Sequence, residues 1–136
     1  MLATKTIQDK ILERLKATYR YRSCEAYPLS RLNTKTFPDD LARLNLPAAL
    51  LVFVEDDFKG RPWERKASWI LILIAKGSSQ DAATFILEAI DEAREKLVSQ
   101  VVEDKCFLLP DSQATALEST ESYTAAALNL STVERQ

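Results

Sequence analysis

The residues that usually carry chemistry are few in this chain, and their spacing suits none of the common sites. There is no histidine among the 136 residues, which removes the commonest general base near neutral pH and the commonest transition-metal ligand. The two cysteines, Cys24 and Cys106, lie 82 positions apart. They form neither a zinc motif nor a secreted disulfide framework. They read as two free thiols in a reduced compartment, or as a pair if the fold brings them together. With only two glycines, a glycine-built phosphate loop is excluded. The adjacent acids Asp39-Asp40, Asp56-Asp57, Asp91-Glu92 and Glu103-Asp104 diverge on either a strand or a helix, so none grips a glycosidic bond. Asp56, Asp57 and Glu64 share one polar stretch, but their spacing does not match a calcium loop. Nucleophilic catalysis would require a cysteine or serine beside a base, and neither cysteine sits in a recognisable elbow or Cys-x-x-Cys pair. The expectation is a protein that is not an enzyme and holds no cofactor and no metal.

The remaining chemistry is charge beside aromatic rings. Eighteen Lys and Arg face twenty Asp and Glu, for a net charge of -2. That is not the basic excess of a duplex-binding domain. The balance is uneven along the chain: +5 over residues 1–36, -3 over 37–100 and -4 over 101–136. Opposed charge within one subunit suits head-to-tail association; solvated faces with no partner are the other reading. Arg20, Arg22, Arg31 and Lys35 interleave with Tyr19, Tyr21 and Tyr27, a combination that could hold a single nucleic-acid strand. Trp63 falls in the polar stretch, as a contact residue or folded back over a sheet edge.

Elements must position these groups, and the apolar periodicity supplies them. Ile7, Ile11, Leu15 and Tyr19 recur every four residues beside Leu12, an amphipathic helix with one buried stripe, capped by Thr6 with Asp9 three residues on. Tyr21–Tyr27 reads as a first strand ended by Pro28, with Cys24 facing the core. A loop and a short helix at Pro38–Arg43 follow, with Asp39 and Asp40 favouring its start. Ala48–Val54 and Ala67–Ala75 are apolar strands, joined by a polar connection at Asp56–Lys66 containing Gly60 and Pro62. They predict an antiparallel pair covered by helices on at least one face. Ser78 with Asp81 opens the best helix, whose stripe is Ala82, Phe85, Ile86, Ala89, Ile90, Ala93 and Leu97. One to three further strands are expected among Val101–Val102, Cys106–Leu109 and Tyr123–Leu130, the last of which has three consecutive alanines that also suit a helix, with Ala114–Leu117 a weak strand or loop and residues 131–136 frayed. No stretch reaches membrane-span length and no signal peptide is visible. The expected class is α+β: one domain over 1–136, with a largely antiparallel sheet packed against an N-terminal helix and one long helix.

In this order the elements resemble those of small phage tail proteins. The matching stretches are Ile7-Gln-Asp-Lys-Ile-Leu-Glu-Arg-Leu15, Arg22-Ser-Cys-Glu-Ala-Tyr27, Leu41-Ala-Arg-Leu-Asn-Leu-Pro-Ala-Ala-Leu-Leu-Val-Phe-Val54, the strand at Trp69–Ala75 and the helix Asp81–Leu97. Over residues 5–100 the chain is similar to the gene-product-37-like tail proteins of phage Mu, and more broadly to tail-terminator and tail-completion proteins of long-tailed phages. The segment after the second apolar strand is shorter than the group often has. The resemblance implies a structural role: a ring, often of six subunits, on the last ring of the tail tube, which stops tube growth and offers a surface for head attachment. It implies as partners further copies of the chain, the tube protein and head–tail connector proteins, with passive contact to DNA passing through and no membrane. The implied location is the virion tail, and the host cytoplasm during assembly. The candidate interface residues are Arg20, Arg22, Tyr27, Asp56, Asp57, Phe58, Lys59, Arg61 and Trp63. A nucleic-acid-binding module and a small dimeric adaptor or regulatory protein are the alternatives.

Overall fold

The computed structural model describes residues 2–32, 35–102 and 106–135, with the backbone alone at 109–112. Ten elements follow one another: α1 (Thr4–Lys16), β1 (Ser23–Ala26), α2 (Leu29–Leu32), α3 (Thr36–Ala42), β2 (Ala48–Lys59), β3 (Glu64–Lys76), α4 (Gln80–Leu97), β4 (Val101–Val102), β5 (Cys106–Ser119) and β6 (Tyr123–Arg135). The strands form one six-stranded sheet in the order β1-β2-β3-β6-β5-β4. Only the β1–β2 pairing is parallel; the other neighbours run antiparallel. The fold is α+β, as the sequence predicts.

Cores lie on both faces of the sheet. On one, α1 contributes Ile7, Ile11, Leu12 and Leu15, and α4 contributes Ala82, Ile86, Ala89, Ala93 and Leu97. They pack over Ala49, Leu51, Trp69, Leu71, Leu73, Leu128 and Leu130. On the other face Leu41 from α3 covers Leu50, Val52, Ile72 and Ile74, with Leu32, Phe37 and Leu46 against it. Double coverage explains why Ala48–Val52 and Leu71–Ala75 are apolar without alternation. α4 lies on β3 and β6 more than on β2, so the helix predicted to cross the β2–β3 pair sits one strand further along.

Several local expectations are corrected. Ala3, not Thr6, precedes α1, and no side chain caps that helix. α1 ends at Lys16, so Tyr19 leaves the stripe: it has φ +56° and is 92% exposed. Ser79 rather than Ser78 caps α4, its hydroxyl accepting from the Ala82 N–H at 3.4 Å. Gly77 holds φ +80° in the turn between β3 and α4, a conformation costly for any residue with a Cβ.

The largest corrections concern the hairpin and the tail. The connection at Asp56–Lys66 is paired strand almost to its tip, with Asp57 opposite Lys66 and Lys59 opposite Glu64. Residues 131–135 do not fray. They pair with β3 on one side, and those at 131–134 also pair with β5 on the other; Ser131, Thr132, Val133 and Glu134 are buried. β6 is an inner strand, and pairing on both sides outweighs a polar composition. The Ala114–Leu117 stretch belongs to the long strand β5. The Glu103-Asp104 pair lies outside the described residues.

Candidate functional site

Past Val54 the β2–β3 hairpin becomes an arm with two unlike strands. A register shift between Phe53 and Glu55 marks where it begins. On β2, Glu55, Asp56, Asp57, Phe58 and Lys59 are all exposed, because no described strand lies on their outer side. On β3, Arg65 and Ala67 are buried while Lys66 between them is exposed, because one face of that strand meets the core that includes Ala67. At the tip Phe58, 52% exposed, stacks on half-buried Trp63 with ring centroids 6.3 Å apart and planes 21° from parallel. With Gly60, Arg61 and Pro62 the pair lines an open cleft of about 640 Å³. Such a ring pair adds about 0.5–1.5 kcal/mol beyond its burial, enough to hold a two-stranded tip in shape. The side chains of Lys59 and Arg61 are exposed beside the aromatic pair.

A buried ion pair roots the arm in the sheet. Arg65 and Glu134 are directly opposite on β3 and β6, with Nη2 3.4 Å from Oε2. They are 5% and 1% exposed respectively. The Leu2 N–H donates to both carboxylate oxygens of Glu134, at 2.9 and 3.1 Å. Asp56 approaches Arg65 at 3.9 Å. One row deeper, the Trp69 indole N–H donates to the Thr132 hydroxyl at 3.2 Å. Nothing in the spacing of residues 65 and 134 announces this pair, since only the β3–β6 register brings them together.

The other candidate residues are dispersed. Arg20, taken from the sequence as a contact cation, is an internal clamp. Its guanidinium makes two 3.0 Å bonds to the Glu92 carboxylate, stands 3.7 Å from Glu88 and lies 5.4 Å from the centre of the Phe85 ring. Tyr21 packs edge-on against the same ring. Tyr27 turns inward too, its hydroxyl donating to Asp40 at 2.6 Å and its ring edge-on to Phe37. Arg31 makes two 2.9 Å bonds to Asp40. Of the predicted basic and aromatic set, Tyr19, Arg22, Arg31 and Lys35 are exposed, Arg31 while bonded to Asp40. The structure thus gathers Asp56, Asp57, Phe58, Lys59, Arg61 and Trp63 on one arm and leaves Arg20, Arg22 and Tyr27 elsewhere.

Burial pushes both thiols up, Cys24 to about 11, so each stays protonated near neutral pH and is a poor nucleophile. Among the described residues no group of three or more His, Cys, Asp or Glu side chains is placed to hold a metal. The exposed arm can offer contact, through rings, charges and a strand edge.

The Arg20 clamp makes stability depend on acid. Hydrogen bonding from Arg20 holds the Glu92 carboxyl below its ordinary value of 4.5. A lowered folded pKa stabilises above the unfolded value and loses that contribution as pH falls through the folded one. With both side chains still about a quarter open to solvent, the pair is worth about 1 kcal/mol. Arg20→Met is therefore expected to be less stable than the parent by about that amount at pH 7. In urea titrations the gap should begin to narrow as pH falls below 4.5 and close once Glu92 is protonated in the folded state; an unchanged gap at low pH would assign the loss to packing on Phe85 instead.

What fold and site define together is an α+β protein with a two-faced sheet and a projecting hairpin arm. No known family model matches the chain, and no curated protein matches it.

Proposed function

We propose that the protein is a structural component of a phage tail, which assembles as a ring and ends or completes the tail tube. The observation that carries this reading is the arm. It presents a stacked Phe58–Trp63 pair beside Lys59 and Arg61 and the exposed acids Asp56 and Asp57. Exposed aromatics framed by charge are what a subunit uses to grip a partner: the rings supply affinity and the charges set orientation and encounter rate. The stretches that resemble tail terminators become α1, β1, β2, β3 and α4, the scaffold from which the arm extends. On this reading the aromatic tip of the arm contacts the tube protein, the sheet edges and other surfaces face neighbouring copies and a head–tail connector, and DNA passes through without specific recognition. The protein then resides in the virion tail, and in the host cytoplasm during assembly.

The test is electron microscopy and native mass spectrometry of the protein mixed with assembled tail tubes. Six-fold rings at tube ends are expected. Phe58→Ala/Trp63→Ala, which leaves the cores untouched, should reduce end occupancy at least tenfold while lowering the melting temperature by only several degrees. Two outcomes would overturn the reading: a two-fold dimer that never joins tubes, which favours the adaptor, or a micromolar single-stranded DNA complex that survives 150 mM salt, which favours the nucleic-acid module. DNA binding that vanishes with modest salt is charge attraction only.

A further inference from the structure

The sheet has two open edges, on opposite sides. β1 covers β2 only from Ala48 to Leu51, and the last bond is from the Tyr27 N–H to the Leu51 carbonyl at 2.9 Å. The chain then turns into α2 at Leu29, which ends the ladder. Among the described residues no strand lies outside Phe53–Lys59. On the far side, β4 and the backbone of Ser99 and Gln100 cover β5 only at Cys106, Phe107 and Leu108. No described strand lies outside Ala114–Ser119. Glu55–Lys59 and Thr115–Ser119 are exposed at every position. A finished strand with one face on a core alternates instead. Unpaired edges of this length are templates for another strand.

Direction and position both fit a second copy. Because β2, β3, β6 and β5 alternate in sense, β2 and β5 of one subunit run opposite ways. A neighbour in the same orientation therefore brings its β5 antiparallel to β2. The open part of β2 lies toward the hairpin tip, level with Cys106–Pro110 of β5, while Ala114–Ser119 is level with the stretch that β1 covers. Joining the edges steps each neighbour about 20 Å along the strands, six residues at ~3.3 Å. That step carries the covering strands β1 and β4 clear of each other. A regularly stepped sheet has tilted strands and can close.

We infer that adjacent copies join edge to edge, Phe53–Lys59 of one pairing antiparallel with Ala114–Ser119 of the next. The inference rests on the ring reading and names its subunit contact. Aligning Phe53 with Ser119 sets Glu55 beside Leu117 and Asp57 beside Thr115, so the acids of the arm do not meet Glu118. The contact covers Phe53 and Leu117, both exposed in the single subunit. It is heterologous and closes only as a ring.

The double variant Asp57→Cys/Thr115→Cys tests it. Mild oxidation of the assembled protein should give a ladder on denaturing gels that stops at the ring number. Each single variant and the parent, whose Cys24 and Cys106 are half-buried and buried, should give none. On assembly, amide exchange should slow at least tenfold within 53–59 and 114–119. Rings without a ladder, or slowing only elsewhere, overturn the edge contact and leave the ring reading standing. A dimer from Asp57→Cys alone shows a two-fold contact and overturns the head-to-tail arrangement. Neither rings nor ladder, at high concentration and with tubes, overturns both.

Discussion

A chain ending at Leu130 is expected not to fold cooperatively. Removing the last six residues takes five paired positions out of an inner strand and exposes backbone of both β3 and β5. It also removes Glu134 from Arg65, which is 5% exposed and whose next acid among the described residues is Asp56 at 3.9 Å. Breaking a buried ion pair by deleting one partner costs about 3–5 kcal/mol, because the remaining charge is left dry and uncompensated. Against a total stability of about 5–15 kcal/mol, that loss and the lost pairing together leave little. Glu134→Gln separates the two effects, since it keeps the strand and removes the charge. It should stay folded but shift the urea midpoint by an amount equivalent to about 3–5 kcal/mol. Arg65→Met/Glu134→Leu, which removes both charges and keeps their volume, should recover most of the loss. A truncated chain with a cooperative urea transition and parent near-ultraviolet dichroism would show that the end of β6 is dispensable.

That prediction turns on a strand whose last residues read as a frayed end. Ser131-Thr-Val-Glu-Arg has the polarity of a tail, and local composition cannot report that β3 and β5 lie on either side. The same blindness hid the arm. Asp56–Lys66 looks like a loop because turn-forming and charged residues dominate it, yet cross-strand pairing needs no apolar face when one edge is open to water. Where burial was on both faces the sequence spoke clearly. Ala48–Val54 and Ala67–Ala75 read as an apolar antiparallel pair under helices, and the stripe from Ala82 to Leu97 as a packed helix. The interface set was legible in part. The arm residues were adjacent in sequence and stayed together, whereas Arg20 and Tyr27 were assigned by type. Their partners Glu92 and Asp40 sit 72 and 13 positions away, visible only once α4 and α3 are placed.

The buried face of α4 carries the second large effect. Ala89 is fully buried, while its neighbour Ile90, part of the same predicted stripe, is only half-buried at the flank of the core. The reason is rotation. With α4 seated over β3 and β6, Ala82, Ile86, Ala89, Ala93 and Leu97 point at the sheet and Phe85 and Ile90 lie alongside. The three alanines allow helix and sheet to approach closely, which leaves no room for a larger group at 89. Ala89→Asp places a carboxylate at a fully buried position and should be the most destabilising of these changes. Ile90→Asp can turn its charge toward water, so it should lose only part of the about 1.5–3 kcal/mol that a fully buried isoleucine contributes. Ala89→Leu keeps the site apolar but overfills it, at about 1–3 kcal/mol. Melting temperatures should therefore fall in the order parent, Ile90→Asp, Ala89→Asp, with Ala89→Leu above Ala89→Asp. If Ile90→Asp proves the more damaging of the two acids, α4 is turned by about one residue, 100° of helix, and Ile90 rather than Ala89 meets the sheet.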